Sequence, residues 1–452
     1  MTKNLITLFL LFTTVISTTA QEGYITLRGN ITDSETREPL PAVTVYVAGQ
    51  AIYTQSNADG DYVLKVPVEQ AKGSIVYALM GYLRDTVAVA TVEKHGDRQL
   101  RSDGGRWLKE VVITEYSPAS ARQLLMDAVS RIPQNYQTDS TVGTWFYRDV
   151  RELNDTLFVF DEMVFDALCV GYDKHHTLKR LNNKSFDGAV TYAYKRPIES
   201  NYTAIRHDRL LLYDTAYVDR VTNGAANSYT GYKEDEVLYD PIEVPNTTSI
   251  FSLKKIEKRK KLQMREMTDA DGKEYYIVYG AHADTNKYLV ATGSFRVTIA
   301  KGSLAIVRVE EESYFKWKKV MWPLKGILKK AGVETFGNGE HTIHNYDIVN
   351  GRYTLTSYTR DEVFDLFCLP NSPMGDRVQH LKKHSRCVLT TEKKEGTGIF
   401  MKDNTIQGPG NVLLYQRRAD DKNYNEAFWQ QYNFIPLEKS IQQKLTQRLN
   451  AQ

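Results

Sequence analysis

The chain has 452 residues, too many for one ordinary core, so two folded units are expected beside any processed leader. With 25% charged and 42% hydrophobic residues and a formal net charge of +3, the composition excludes a disordered chain and gives no reason to expect a nucleic-acid partner. Three widely spaced cysteines, Cys169, Cys368 and Cys387, exclude a disulfide scaffold and leave at most one bridge, with Cys368 and Cys387 as the candidate pair.

Residues 1–20 read as a secretory leader. Lys3 supplies a short positive region, an apolar run extends from Leu5 to Ile16, and Thr18 and Ala20 suit the −3 and −1 positions before cleavage. The apolar run is too short for a membrane span, and no later stretch approaches ~18 apolar residues. A mature, exported, soluble chain beginning near Gln21 is expected, with no transmembrane segment after cleavage and no cysteine at the cleavage site to take a lipid anchor.

The first unit is expected over residues 21–115. Its segment NADGDYVLKVP, Asn57 to Pro67, admits a calcium loop or a hairpin turn. With Gly60 as the sixth position of an EF-hand loop, the first would be Gln55 and the twelfth Val66, neither of them a ligand of the required kind. Asp59-Gly60 suits a tight turn instead, and Tyr62, Leu64 and Val66 then alternate with Asp61, Val63 and Lys65 as in a half-buried strand. AVTVYVAG (Ala42 to Gly49) and GSIVYALMGY (Gly73 to Tyr82) read as further strands, which makes a small β-sandwich.

These residues carry a resemblance. Gly29, Asp33, Pro39-Leu40-Pro41, the Asp59-Gly60 turn and Gly81-Tyr82 occur in the order found in the carboxypeptidase regulatory-like domain, a transthyretin-like sandwich. WLKEVVITEY (Trp107 to Tyr116) is similar to the segment that follows this domain in exported Bacteroidetes proteins, where a TonB-dependent barrel often comes next. Here no long series of ten-residue amphipathic strands follows, so no barrel is expected. The resemblance implies a non-catalytic structural or recognition module. No histidine of this chain has a glutamate three residues on, the pair that zinc carboxypeptidases use.

The second unit, residues 116–452, reads as an α+β domain built on an antiparallel meander with flanking helices, so the whole chain is expected to be mainly β. SPASARQLLMDAVSRIP predicts a helix with Ser117 as N-cap, Pro118 at its first position and Leu124, Leu125, Ala128, Val129 and Ile132 inward, ending at Pro133. Strands are expected in GTWFYRDVREL, TLFVFDEMVF, EYYIVYGAH, GSFRVTIA, LAIVRVEEESYF, HTIHNYDIVNGRYTLTSYTRDEVF and RCVLTTE, with hairpin turns at Lys301-Gly302 and Asn350-Gly351. At the C-terminus Leu437, Ile441, Leu445 and Leu449 recur every four residues and predict an amphipathic helix. The opening helix, the hairpin around Lys301 and the tail are similar to uncharacterised Bacteroidetes proteins that join the same two modules. The hairpin also resembles part of the sheet of periplasmic lipoprotein carriers.

Candidate chemistry is sparse. His380, His384 and Cys387 in HLKKHSRC would share a helix face and suit zinc, but Lys382 and Lys383 repel a cation, and the segment reads as a solvated basic loop. His341 and His344, and His175 and His176, read as surface histidines. The acidic pairs Asp161-Glu162 and Asp361-Glu362 could serve a glycosidase, but read as surface acids. No nucleophile elbow, phosphate loop or dinucleotide fingerprint occurs, and neither a catalytic residue, a cofactor nor a metal is assigned. Tyrosines crowd the middle of the chain and suit packing as well as sugar stacking.

A basic and aromatic cluster remains. Lys316, Trp317, Lys318, Lys319, Trp322 and Lys325 form a candidate patch for an envelope component or partner, against the alternative of a core-facing strand followed by a loop. The expected function is that of an exported, non-enzymatic cell-envelope protein with a binding or structural role, in the periplasm or at the outer membrane. Lipid carriage in an apolar cavity of the second unit is the alternative, and glycan or peptide hydrolysis a second one.

Overall fold

The computed structural model describes residues 23–48, 52–79, 82–102, 118–137, 141–169, 198–199, 206–213, 262–268, 272–285, 287–318, 324–330, 332–349, 351–370, 372, 378–393, 426–432 and 435–450. The leader, Ser117, Lys319, Trp322, His175, His176, the segment Trp107 to Tyr116 and most of the tyrosine-rich middle lie outside them.

The first unit is a two-layer sandwich. One layer holds β1 (Tyr24–Asp33) between β4 (Asp61–Pro67), antiparallel, and β7 (Arg98–Leu100), parallel. The other has the order β3 (Tyr53–Gln55), β2 (Thr44–Val47), β5 (Ser74–Ala78), β6 (Asp85–Ala88), and a short helix α1 (Val89–Lys94) follows. Leu27, Ile31, Val45, Tyr62, Leu64, Val66, Ile75 and Tyr77 fill the space between the layers. The alternation read in DYVLKVP therefore holds for its apolar face.

The question posed by Asn57 to Pro67 resolves as a turn. Gly60 has φ +81°, and a Cβ there would stand 2.3 Å from the Ile31 carbonyl oxygen. Asn57 shapes the loop, its Oδ1 accepting the N–H groups of Asp59 at 3.0 Å and Asp61 at 2.9 Å.

The second unit opens with α2 (Pro118–Ser130). Pro133 does not end the helical segment: it falls in the first turn of a further short helix, α3 (Ile132–Asn135), where its missing N–H costs nothing. The strands β8 (Thr141–Leu153), β9 (Thr156–Cys169), β10 (Ile198–Glu199), β11 (Arg206–Tyr213), β12 (Gln263–Thr268), β13 (Glu274–Thr285), β14 (Leu289–Ala300), β15 (Ile306–Trp317), β16 (Val333–Val349), β17 (Arg352–Cys368) and β18 (Val378–Lys393) make one 11-stranded sheet. From β12 to β18 it is a meander in chain order. β18 then pairs with β8, and β9 lies beyond, with β10 and β11 along its outer edge. At the expected turns Gly351 takes φ +80°, whereas after Lys301-Gly302 it is Leu304, at φ +57°, that turns left-handed.

Strand alternation gives the sheet two faces. On one, α2 and α3 cover Trp145, Tyr147, Val297, Val309, Leu355, Tyr358 and Leu389. A second short helix, α4 (Leu324–Lys330), sits at the far end of the sheet, where Leu328 meets Val333, Leu366 and Cys368. The opposite face carries α5 (Glu426–Gln431) and α6 (Lys439–Asn450). Trp429 and Ile435 pack on Phe146, Val164 and Val388, while Leu437, Ile441 and Leu445 pack near Val150, Leu157 and Phe160. Leu449, expected in the same stripe, is 50% exposed. A four-residue interval drifts by about 40° per step on a 3.6-residue helix, so the stripe has rotated off the sheet by its last member.

Gly60→Ala is expected to cost about 1–3 kcal/mol, because it combines a left-handed backbone with a carbonyl contact. Gly302→Ala, with open space around its Cβ position, should be close to neutral. Urea unfolding midpoints compare the two, and equal midpoints would mean that the Asp59-Gly60 turn relaxes without penalty.

Candidate functional site

The C-terminal helices lie between the sandwich and the sheet, held by polar groups on both sides. Asn57, fully buried, donates Nδ2 to the carbonyls of Leu437 at 3.0 Å and Pro436 at 3.4 Å. Asp59 Oδ2 accepts the Lys439 N–H at 2.6 Å and so caps α6 from the other end of the sequence, where a helix start favours a carboxylate. Lys439 Nζ lies 3.6 Å from Asp61. Lys65, on the face of β4 expected to meet solvent, is buried, and its Nζ donates to the Tyr432 carbonyl at 3.0 Å and the Trp429 carbonyl at 3.4 Å. These are the carbonyls at the C-terminal end of α5, where a cation is favoured.

From the sheet, Arg148 donates to the carbonyls of Ile435 and, at 3.2 Å, Pro436. Its Nε and Nη2 stand 2.8 and 2.6 Å from Glu162 Oε1. Lys444 Nζ reaches both Glu152 oxygens at 2.7 and 2.8 Å. Arg386 Nη2 donates to Gln55 Oε1 at 2.8 Å, a direct tie from sheet to sandwich. Burial pushes the Arg386 guanidinium down to about 10.

The opposite face of the sheet, the one on which α2 and α3 pack, has a polar feature of its own. Where β8, β18, β17 and β16 run side by side, one row of cross-strand neighbours is Asp149, Ser385, Arg360 and Thr342, and the next is Arg151, Lys383, Glu362 and Glu340. Apolar rows flank this band, Tyr147, Cys387 and Tyr358 on one side and Leu153, Leu381 and Phe364 on the other. All of its members but Glu340 are buried. Arg151 pairs with Asp149, and Arg360 stands 2.9 Å from Glu362 and 3.1 Å from Glu340. Lys383 Nζ is 3.5 Å from Glu362, and desolvation holds its ammonium below the ordinary lysine value.

These placements revise several sequence expectations. HLKKHSRC is part of β18, not a solvated loop: its buried face carries Lys383 and Ser385 between Leu381 and Cys387, so the hydrophobic alternation that would betray the strand is interrupted. On a strand His380 and His384 share the face that carries α5 and α6, while Cys387 points into the core opposite. His380 Nδ1 lies 2.6 Å from Asp365, and His384 pairs with Asp361. Among the described residues no three histidine, cysteine or acidic side chains gather as a metal site. His341 stands 3.2 Å from Glu310, whereas His344, expected at the surface, is buried against the Tyr358 ring.

The acidic pairs are split by the same alternation. Glu162 and Glu362 are buried ion-pair partners of Arg148 and Arg360, not surface acids, while Asp361 faces the other side of the sheet. Cys368 and Cys387 are buried and not disulfide-bonded. Cys387 sits opposite Tyr358 on β17, and the run from there to Cys368 is roughly 33 Å of strand, far beyond disulfide reach.

The candidate patch is only partly at the surface. Lys318 and Lys325 are exposed, whereas Trp317 packs against the cluster of Leu328, Val333, Leu366 and Cys368. Lys316 lies over the Phe367 ring at 3.9 Å. The strand reading of this stretch thus holds as far as Trp317, with lysines on the outside.

The motif residues of the sandwich also come together. Tyr82 donates its hydroxyl to Asp33 Oδ2 at 2.8 Å, while Asp33 Oδ1 accepts the N–H groups of Glu35 at 2.7 Å and Thr36 at 2.9 Å. The Thr36 N–H, the Tyr82 hydroxyl and the Glu35 N–H hold the Asp33 carboxyl below the usual carboxylate range. Burial, and then the Asp33 contact, push Tyr82 up to about 12. Gly29 lets the chain at Gly96 pass, since a Cβ would meet that backbone at 2.3 Å.

Sandwich, motif pairings and turn define a transthyretin-like module fixed to a larger antiparallel sheet. Residues 27–113 match the family model of the CarboxypepD_reg-like domain, and the first unit is a carboxypeptidase regulatory-like domain. No curated protein matches the chain. Among solved structures, a 9R-lipoxygenase from Cyanothece PCC8801 aligns over 65% of this chain and 40% of its own, at 10% identity and a TM-score of 0.15. The chain thus spans less than half of that protein, and so loose a superposition carries no argument.

Two outcomes follow from this geometry. Glu362→Leu, which takes one of its two carboxylates from Arg360 and the carboxylate 3.5 Å away from Lys383, should cost about 3–5 kcal/mol in urea unfolding, and adding Arg360→Met should recover part of it. A loss below ~1 kcal/mol would show that the band is not a compensated ionic unit. For the Asp33–Tyr82 pair, the stabilisation should vanish as pH falls through the lowered Asp33 value. At the other limit it should fade as pH rises from about 10 toward 12, because Tyr82 ionises earlier in the unfolded chain. In carboxyl NMR titration, Tyr82→Phe should move Asp33 toward its ordinary value without reaching it, since the two backbone donors remain. An unmoved Asp33 would show that the hydroxyl contributes nothing.

Proposed function

We propose that this chain is an exported, non-enzymatic envelope protein in which the regulatory-like domain and the large sheet act as one binding or structural body, in the periplasm or at the outer membrane. The junction carries the reading: Asn57, Asp59 and Lys65 of the domain hold the C-terminal helices that lie on the sheet. A module fixed in this way presents a composite surface to a partner. The acids and histidines weighed for chemistry support the same reading, since Glu162, Glu362 and Asp361 are engaged with Arg148, Arg360 and His384, and His380 with Asp365. Lipid carriage ranks second, because an acyl chain lying along the sheet face on which α2 and α3 pack would meet the ionic band, and charges are costly to leave against hydrocarbon.

Cell fractionation with N-terminal sequencing, followed by native mass spectrometry and lipid extraction, tests the proposal. The expected result is an envelope-fraction protein that begins near Gln21 and has a bare polypeptide mass. Retention of the uncleaved chain in the cytoplasm would sink the export reading, and a stoichiometric lipid would promote the carrier.

A further inference from the structure

We propose that one end of the large sheet is a docking surface for an anionic phospholipid bilayer. It rests on the envelope reading above and names the partner. The surface is assembled from three chain segments. Lys316 and Trp317 end β15 opposite Val290 and Leu289 of β14. The Lys318 N–H donates to the Tyr288 carbonyl at 2.8 Å, which ties this end to the turn between β13 and β14. That turn brings Lys287, exposed and 4.9 Å from the centre of the Tyr288 ring, which sequence proximity alone does not connect to the patch. The third segment, α4, buries Leu328 beside Trp317, Val333 and Leu366 and turns Lys325 and Lys329, one helical turn apart, to solvent.

The arrangement separates two tasks. Trp317 and Leu328 anchor α4 inward, and Lys287, Lys318, Lys325 and Lys329 are left as exposed ammonium groups at one end of the strands. Glu334 is an exposed acid at the same end, so cations outnumber it. Lysines on long stems satisfy phosphate head groups without inserting, and the aromatic rings beneath Lys287 and Lys316 hold those stems in place. An anionic bilayer surface therefore complements this end by charge.

Flotation of the full chain with phosphatidylcholine vesicles, with and without phosphatidylglycerol, tests the proposal. Partition onto the anionic vesicles should exceed that onto neutral ones by at least about tenfold at ~0.1 M salt and collapse at ~1 M. Neutral vesicles also report any contribution from the apolar run Leu5 to Ile16. Lys325→Glu with Lys329→Glu, and separately Lys287→Glu with Lys318→Glu, should each reduce partition about tenfold or more. Reversal of the exposed Lys72 and Lys94 in the sandwich should leave it unchanged. Equal binding to both vesicle types, no binding, or an equal loss from the sandwich reversals would overturn the proposal. An envelope-located protein that ignores anionic vesicles would leave the envelope reading standing, whereas a cytoplasmic protein that binds them would sink that reading alone.

Discussion

Among the polar ties on which the arrangement of the two units depends, the hydrogen bond from the Lys439 N–H to Asp59 stands at the centre. It closes the exposed start of α6 with a carboxylate from a turn near the opposite end of the sequence. The turn can offer that carboxylate because Gly60 adopts a positive φ and Asn57 braces the loop from within. The same asparagine then spends its amide on the carbonyls just before the helix. Turn, cap and domain junction are therefore one structure, and none of the three is complete without the others.

Beneath α5 and α6 the sheet answers in kind. Arg148 serves Glu162 and the Ile435 and Pro436 carbonyls at once, so a buried charge is neutralised and two backbone acceptors are satisfied by one side chain. The opposite face is organised differently, with an ionic band between apolar rows. Such a band adds little net stability over a well-packed apolar one, but it discriminates between registers. A slip of two residues between β17 and β18 would keep every side chain on its proper face, and would still move Lys383 and Glu362 away from their present partners.

Much of the first unit was legible from its residues, because the constraints there are local. A glycine beside an aspartate, an alternating strand and a few ordered motif residues suffice for a turn and a sandwich. The expected helix start at Pro118 and the α6 stripe up to Leu445 also follow from local rules. What escaped the sequence were partners distant in the chain. Lys65 looked solvent-facing because Trp429 and Tyr432, which bury it, come more than three hundred residues later. Glu162, Glu362 and Lys383 looked like surface residues because charge ordinarily marks the surface, and each is buried only by virtue of a mate on another strand. The basic patch was legible as a run of lysines, but the share of Lys287 in it depends on the pairing of β14 with β15.

The pairing of β8 with β18 also bears on how the chain reaches its native state. β8 and β9 can form their hairpin as soon as they are made, yet the neighbour that completes β8 on its other side is the last strand of the meander. Until β18 arrives, the free edge of β8 could recruit another chain. The run Arg148, Asp149, Arg151 and Glu152 along that strand makes it a poor template for such pairing, since like charges set in register repel and bare charges resist burial. Residues that end as buried ion pairs thus act first as a guard on an unfinished sheet.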